Sequence, residues 1–306
     1  MNLWEQIKQE YSNKNLLENF RNIDGFNKRL GSWSAITNNS RYFKSLLFEF
    51  SNFLDSKIIK DFPHLNNEIK GNGLNFYLKN ISNRKTGNPL TINYSGIPID
   101  IDYLLSIEEI HFLRGELDSC KSVIEIGPGF GRLAHSILEI FPGLENYYII
   151  DLDWMLELSS NYLKEVLTSE NFQKIKFFRT EDYNLISKID LVINIDSFQE
   201  MEEDIVNEYL RFITLNSKLF YTKNAICKYH PSLVDINVTN SSQYNSALRS
   251  GLCQEVIDIF NPMELEKQKN IYLQRYCPKN FQVNKHQDCF GQYNYYYSSL
   301  YKKIET

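Results

Sequence analysis

The segment with the clearest chemical meaning is a glycine-rich run, Glu125-Ile126-Gly127-Pro128-Gly129-Phe130-Gly131. It follows an apolar stretch typical of a buried strand and precedes apolar residues at helical spacing. Glycines at such a turn let the backbone bend tightly and approach a ligand closely. In open parallel sheets, ligands bind beyond the carboxyl ends of the strands. The run therefore predicts a ligand-binding turn that includes Gly127, Gly129 and Gly131.

The spacing of the glycines distinguishes between two classes of ligand. A dinucleotide motif, G-x-G-x-x-G, would need its third glycine at position 132, which is Arg132. The observed run is G-x-G-x-G, and Glu125 precedes it. A carboxylate at this point can hold an ammonium group, which S-adenosylmethionine (SAM) carries in place of a pyrophosphate. The spacing favours SAM, with S-adenosylhomocysteine (SAH) as product; turn glycines without a ligand are the alternative.

Further polar residues follow the next predicted strands. Asp151 ends the second strand, where its carboxylate is predicted to accept hydrogen bonds from ribose hydroxyls. Asp182, with Glu181 beside it, follows the third strand and is predicted to accept from the adenine amino group. A helix N-cap is the alternative role for Asp182. Asn194, in the fourth strand, completes the predicted cofactor-binding set.

The elements that must position these residues follow from hydrophobic periodicity, which changes near residue 120. Before it the pattern is mostly helical, except for a Gly- and Asn-rich stretch over 71–96 that contains a short alternating run at 74–78. After it strands and helices alternate. The predicted strands are 122–126, 146–150, 174–178, 189–195 and 218–222, and the predicted helices are 102–117, 130–141, 154–167 and 202–215.

This order predicts an α/β fold with a mostly parallel sheet and helices on both faces. Residues 119–306 would form the SAM-binding domain, and two more strands are expected among 255–260, 271–276 and 293–301. Residues 1–118 would form a mainly helical region. We expect that region to cap the cleft, contact the acceptor, or form the subunit interface of a homo-oligomer.

Composition excludes several classes of protein. The chain has 306 residues and a formal charge of −5, so a surface built to bind nucleic-acid phosphates or anionic membranes is not expected. No apolar run reaches the roughly 20 residues of a membrane span. The five cysteines contain no C-x-x-C pair, which argues against a zinc site or a disulfide framework. We therefore expect a cytoplasmic protein.

Three segments carry a resemblance to a known family: residues 123–134, 190–201 and Tyr148-Ile149-Ile150-Asp151-Leu152. They resemble the class I SAM-dependent methyltransferases and, more closely, a bacterial family of sugar O-methyltransferases. The most specific part is Ser197-Phe198-Gln199-Glu200-Met201, and weaker echoes lie at Gly87-Asn88-Pro89 and at 221–224. The resemblance implies a Rossmann-like, seven-stranded fold. It also implies methyl transfer from SAM to a hydroxyl of a sugar or nucleotide-sugar in capsule or lipopolysaccharide biosynthesis.

A sugar hydroxyl is a poor nucleophile, so such an enzyme needs a general base. Asp196 follows the fourth strand, Glu200 lies beyond it, and His230 follows the fifth strand. A histidine titrates near the working pH. The alternative roles are a helix N-terminal acid for Glu200 and a loop histidine without function for His230. Asp196 and Glu200 could supply oxygen ligands, but two acids at this spacing are no metal motif, so no metal is predicted.

Other functions remain as alternatives at this point. The same donor could serve a small phosphorylated or nitrogen-containing capsule precursor. A nicotinamide-dependent oxidoreductase shares the general fold, although Arg132 argues against it. A relative of the fold that only binds a partner would need none of the candidate bases.

Overall fold

The computed structural model describes Phe20 and Arg21 and residues 40–65, 68–230, 233, 241–290 and 294–305. Residues 1–19 and 22–39 of the predicted N-terminal region lie outside the described residues. The chain divides into two compact units, residues 1–121 with 128–180 and residues 122–127 with 181–306. The domain boundary between residues 118 and 119 stays a prediction.

The first unit combines helices with two pairs of strands, one antiparallel and one parallel. Asp100 caps the start of the buried helix at Ile101–Leu117. Its carboxylate accepts hydrogen bonds from the backbone N–H groups of Asp102 and Tyr103, at 3.1 and 3.2 Å. The elements are α1 (Ser40–Asp61), α2 (Asn72–Leu78), the antiparallel pair β1 (Ile92–Tyr94) and β2 (Ile97–Ile99), α3 (Ile101–Leu117), α4 (Arg132–Ile140), β4 (Asn146–Asp151), α5 (Asp153–Val166), α6 (Ser169–Gln173) and β5 (Ile175–Arg179).

The second unit holds most of the large sheet. Its elements are β3 (Ser122–Ile126), β6 (Ile189–Ile195), α7 (Glu203–Asn216), β7 (Ser217–Ala225), α8 (Ser241–Arg249), α9 (Pro262–Arg275), β8 (Phe281–Asp288) and β9 (Tyr296–Lys303). β6 pairs in parallel with β3 and with β7. β9 runs antiparallel to both β7 and β8. The apolar run of β6 is buried along almost its whole length, as expected for an inner parallel strand.

The large sheet has seven strands in the order β5-β4-β3-β6-β7-β9-β8. The predicted Rossmann-like α/β fold, with a mostly parallel seven-stranded sheet and a helical segment before it, is confirmed. The five parallel strands expected from the sequence all form, with ends shifted by a few residues. Within the described residues, no helix has both the length and the apolar character needed to cross a membrane.

Three local expectations were wrong. The alternating run at 74–78 lies in helix α2, which buries Leu74, Tyr77 and Leu78 at helical spacing. Of the expected strand at 271–276, residues 271–275 belong to α9 and Tyr276 caps it, and 255–260 contributes only an isolated bridge at Val256. The strand missed by the sequence is β8, which lies at the sheet edge and exposes most of its side chains. Polar residues are tolerated at an exposed edge, so β8 has no apolar periodicity to detect.

One carboxylate links the starts of three strands in the second unit. Oδ2 of Asp190 accepts hydrogen bonds from the backbone N–H and the hydroxyl of Ser122, at 3.0 and 3.2 Å. Oδ1 of Asp190 pairs with Nζ of Lys218 at 2.7 Å. The Asp190 side chain is only 19% exposed, whereas that of Lys218 is 77% exposed. The bonds to Ser122 should therefore stabilise the sheet more than the ion pair does.

We expect Asp190→Ala to lower the free energy of unfolding by about 1–3 kcal/mol, because it leaves the half-buried N–H of Ser122 without its acceptor. Lys218→Ala removes only the exposed half of the arrangement and should cost less than about 1 kcal/mol. Urea unfolding of both variants measures the difference. Equal losses would show that the exposed ion pair contributes as much as the bonds to Ser122.

Candidate functional site

The glycine run after β3 adopts the backbone conformation that its composition suggests. Gly127, Gly129 and Gly131 all have positive φ angles, of 70°, 61° and 94°. Residues with a Cβ rarely occupy this left-handed region, so three such positions within five residues strongly favour glycine. The predicted tight turn between β3 and α4 is present.

Two of these glycines are also required by internal packing. A Cβ on Gly127 would lie 2.3 Å from Oγ of Ser197, and a Cβ on Gly131 would lie 2.9 Å from Cδ1 of Leu163. The close approach inferred from the sequence therefore involves neighbouring parts of the protein at both positions. The glycines alone do not identify a ligand, so the class of ligand has to be inferred from the polar groups around the run.

Asp151 is the polar group that the first unit brings to the glycine run. Its carboxylate accepts the backbone N–H of Leu152 at 2.8 Å, and the N–H of Gly129 also favours its charged form. Burial raises the pKa of Asp151 to about 7, although the N–H groups of Leu152 and Gly129 lower it. The bond from Leu152 leaves lone pairs on the carboxylate. Asp151 can therefore accept hydroxyl groups of a ligand, as predicted for ribose.

Arg132, which replaces the third glycine of a dinucleotide motif, binds within the first unit. Its guanidinium donates to both carboxylate oxygens of Glu109, at 2.7 and 2.9 Å, and to Oγ of Ser106 at 3.1 Å. The side chain of Arg132 is buried and joins the start of α4 to α3. It occupies the position where a dinucleotide site needs close helix–strand packing, so this turn does not follow the dinucleotide pattern.

Glu125 and Asn194 lie near the carboxyl ends of the adjacent strands β3 and β6. Glu125 pairs in register with Ile193 and is 3% exposed. Asn194 pairs in register with Ile126 and is fully buried. A carboxylate buried at a strand end suits a cation such as the ammonium group of SAM.

All hydrogen-bonding positions of the Asn194 amide have protein partners. Nδ2 donates to the carbonyl of Ile126 at 3.0 Å and to Oγ of Ser197 at 2.5 Å. Oδ1 accepts from the backbone N–H of Phe198 at 3.3 Å and from Nδ2 of Asn224 at 2.8 Å. An amide has two donor and two acceptor positions. We therefore assign Asn194 a structural role in holding the turn after β6, and direct contact with a cofactor stays a prediction without support.

Asn224 and Gln199 extend the hydrogen-bond network of Asn194, although their residue types alone did not predict a role for them. Nδ2 of Asn224, at the end of β7, also donates to Oγ1 of Thr222 at 2.7 Å. Gln199 accepts the N–H of Ala225 at 2.7 Å on its Oε1 and donates from Nε2 to the phenol oxygen of Tyr296 at 2.8 Å. Both residues lie in segments that carry the family resemblance. Their polarity at strand ends was the available signal.

The three candidate bases all lie in the second unit. Asp196 directly follows β6 with φ of 63°, and its N–H donates to the carbonyl of Lys223 at 3.0 Å. Positive φ at a residue other than glycine is uncommon and stores local strain, which clusters at functional sites. Glu200 is exposed and ends a short 3-10 helix, Phe198–Glu200, so it does not begin α7. His230 is exposed, with its ring 6.5 Å from that of Tyr244.

Tyr296 and Lys228 place a phenol and an ammonium group near Glu200. Burial raises the pKa of the Tyr296 phenol well above its usual range, and the charges of Asp196 and Glu200 raise it further. Burial lowers the pKa of Lys228, an effect that Glu200 opposes. Nζ of Lys228 also donates to the carbonyl of Gln199 at 3.1 Å. The phenol therefore stays protonated and can donate a hydrogen bond to a carboxylate.

Asp182 begins a short 3-10 helix, Tyr183–Leu185, and is half-buried. Its side chain forms no capping hydrogen bond with that helix. The position matches the N-cap alternative, but the interaction that defines a cap is missing. Its predicted role toward adenine stays untested. Within the described ranges, no group of three or more His, Cys, Asp or Glu side chains is arranged to hold a metal ion.

Comparisons with known proteins concern the fold. The sequence matches no protein-family model and no curated protein. Solved structures with a similar fold include the mitomycin 7-O-methyltransferase MmcR, at 14% identity and a TM-score of 0.42 over 66% of this chain and 57% of that one. The methyltransferase domain of bacterial CtHen1 is 15% identical, with a TM-score of 0.46 over 65% of this chain and 97% of that one.

A third similar structure is magnesium protoporphyrin IX methyltransferase (ChlM) from Synechocystis PCC 6803 with bound SAH. It is 16% identical, with a TM-score of 0.44 over 66% of this chain and 85% of that one. This chain thus spans little more than half the length of MmcR. At these low identities, and with TM-scores below 0.5, the likeness carries no argument for this chain, and any function must be argued from its own residues.

The raised pKa of Asp151 predicts a pH-dependent stability. Because the folded pKa of about 7 exceeds the ordinary aspartate value of 3.8, the folded protein retains a proton that the unfolded chain has lost between these pH values. The contribution of Asp151 to stability therefore falls as pH rises from about 4 to about 7. Asp151→Asn keeps an acceptor oxygen and removes the titration. Relative to wild type, this variant should gain at most about 1.4 kcal/mol per pH unit in that window.

Urea unfolding between pH 4.5 and 8 tests this expectation. Asp118→Asn removes an exposed carboxylate from the end of α3 and controls for the loss of one charge. A constant difference in stability between wild type and Asp151→Asn at all pH values would contradict the raised pKa.

Proposed function

We propose that this protein is a SAM-dependent O-methyltransferase that methylates a hydroxyl of a sugar or nucleotide-sugar during surface-polysaccharide assembly in the cytoplasm. The observation that carries the proposal is the carboxylate of Asp151 at the end of β4, which lies close enough to the left-handed glycine run for the N–H of Gly129 to favour its charged form. This arrangement supports Asp151 as the acceptor for ribose hydroxyls, beside the turn that follows β3.

The residues present fit SAM as methyl donor. Asp151 retains lone pairs for hydroxyl donors, and Glu125 supplies a buried carboxylate for an ammonium group. Arg132 is engaged by Glu109 and so is not placed to bind the pyrophosphate of a nicotinamide cofactor. SAM when bound supplies an electrophilic sulfonium methyl group whose loss leaves a neutral thioether.

The chain's own residues would align the acceptor and take its proton. A base of the chain would accept the hydroxyl proton while the acceptor oxygen takes the methyl group that bound SAM would supply. Asp196, Glu200 and His230 are the candidates, and the strained backbone at Asp196 favours it. Gln199 and Asn224 hold the turn that carries Asp196 and Glu200 through their bonds to Ala225, Thr222 and Tyr296.

Aromatic side chains near these acids support a sugar acceptor. The rings of Tyr229 and Tyr295 are half-buried and lie 5.1 Å apart, and that of Tyr295 lies 5.1 Å from Tyr296. Partly exposed aromatic rings beside carboxylates can pack on the C–H faces of a sugar while the acids bind its hydroxyls. The half-buried ammonium group of Lys228 supports the second candidate, a small phosphorylated acceptor, because it could pair with a phosphate.

We expect the purified protein to bind SAH with a dissociation constant on the order of micromolar. Isothermal titration calorimetry measures it. Asp151→Asn should weaken binding at pH 8 at least about tenfold, because a hydrogen bond to a charged group contributes about 1.5–3 kcal/mol. Asp118→Asn should leave it unchanged. The absence of SAH binding, or binding of NADH in its place, would reject the proposed function.

The identity of the base can be tested by following transfer of a radiolabelled methyl group from SAM to a panel of sugars, nucleotide-sugars and sugar phosphates. With the best acceptor, Asp196→Asn should lower kcat by about 10²–10⁴-fold while SAH affinity is retained. Glu200→Gln and His230→Asn are the matched tests of the other candidates. Full activity in all three variants would exclude these residues as the base. Activity only on acceptors without a sugar would exclude the sugar assignment.

A further inference from the structure

Arg21 is a completely buried cation in the first unit, distant in sequence from the glycine run. Its Nε donates to Oδ2 of Asp102 at 2.9 Å, and its Nη2 pairs with Asp100. Nη1 donates to the carbonyl oxygens of Arg84 and Thr86, at 2.7 and 3.1 Å. The planar guanidinium thus joins the start of α3 to the segment before β1. A lysine could keep the charge but could not form this set of bonds.

Arg21 and the preceding Phe20 also contact the side chain of Phe130, which lies in the glycine run. The ring of Phe20 lies 5.0 Å from that of Phe130 and 5.6 Å from that of Tyr162, in edge-to-face arrangements. The guanidinium carbon of Arg21 lies 5.3 Å from the centre of the Phe130 ring and 5.1 Å from that of Tyr103. Aromatic pairs and cation–π contacts of this kind are individually worth about 0.5–2 kcal/mol.

The surroundings are built to accept this pair of residues. Gly87 has φ of 84°, and a Cβ there would lie 2.5 Å from the Phe20 ring. The N–H of Arg21 donates to the carbonyl of Gly87 at 2.8 Å. The phenol of Tyr103, whose ring contacts Arg21, bonds to Tyr162 at 2.7 Å. The Gly87 segment, which showed a weak family resemblance, therefore serves to seat Phe20 and Arg21.

Phe130 is the single residue between two left-handed glycines, Gly129 and Gly131. Glycine has the largest conformational freedom of any residue, so the conformation of this run depends on anchors at its other residues. The ring of Phe130 is 1% exposed and is covered by Phe20, Arg21 and Tyr162. Fixing Phe130 also fixes the neighbouring N–H of Gly129, which favours the charged form of the Asp151 carboxylate.

We propose that Phe20 and Arg21 are positioning residues for the SAM-binding turn: by clamping Phe130 they hold the glycine run in its binding conformation before the ligand arrives. This inference rests on the proposed function, since it names what controls the affinity of that same site. A turn that is already ordered loses less conformational entropy on binding, which raises affinity. Because such coupling is reciprocal, bound SAH should in turn stabilise the seating of Phe20 and Arg21.

The test compares SAH affinity in variants that remain folded. Arg21→Lys keeps the charge beside Asp100 and Asp102, and Phe20→Leu keeps an apolar side chain, so both avoid an unpaired buried charge. We expect each to weaken SAH binding by about 5- to 50-fold in calorimetry, within the usual range of coupling between sites. Phe43→Leu is the matched control, because it truncates an equally buried ring in α1 and should lower the melting temperature without this loss of affinity.

A second readout uses the reciprocity directly. In wild type, saturating SAH should slow hydrogen exchange of the Arg21 amide, which donates to Gly87, by a factor similar to the affinity lost in Arg21→Lys. A merely structural role would change melting temperatures and leave the SAH affinity of the variants unaffected. SAH binding of wild type, Arg21→Lys and Phe20→Leu within twofold of one another would overturn the inference alone. Failure of wild type to bind SAH would overturn the proposed function and this inference with it.

Discussion

The left-handed backbone of the glycine run is the constraint on which the remaining structure depends. Three positive φ angles within five residues turn the chain from β3 into α4, and no other residue type adopts this conformation as easily. The conformation brings the N–H of Gly129 to Asp151 and leaves Gly127 with no space for a side chain beside Ser197. The contacts that Asp151 and Ser197 make with the run therefore depend on the backbone conformation of this turn.

Buried polar groups then hold the turn that carries two of the candidate bases. In the second unit the side-chain amide of Asn194 bonds to that of Asn224 and to the carbonyl of Ile126. The side-chain amide of Gln199 bonds to the phenol of Tyr296. A satisfied polar network of this kind specifies a single arrangement, since any slip would leave buried amide groups without partners. The half-buried Asp196 and the exposed Glu200 therefore lie on a turn that these hydrogen bonds hold in place.

The first unit uses a different device for the same purpose. There the buried Arg21 and the rings of two aromatic residues pack around the side chain of Phe130 in the glycine run. The hydroxyl groups of Tyr162 and Tyr103 form a hydrogen-bonded chain that reaches Nδ1 of His135. Burial and the positive charge of Arg21 lower the pKa of His135 to about 3, so its imidazole stays neutral. A neutral histidine beside Arg21 avoids a second buried cation.

The sequence by itself determined the order of the main strands and helices between residues 120 and 225, the tight turn at Gly127 and the acids at the strand ends. These features are local: apolar runs, helical spacing and glycine spacing act over a few residues. Only the tertiary structure decided that Arg132 binds Glu109, that Asn194 is occupied by protein partners, and that Arg21 reaches Phe130. Such pairings join residues far apart in the chain, and they depend on the packing of complete elements.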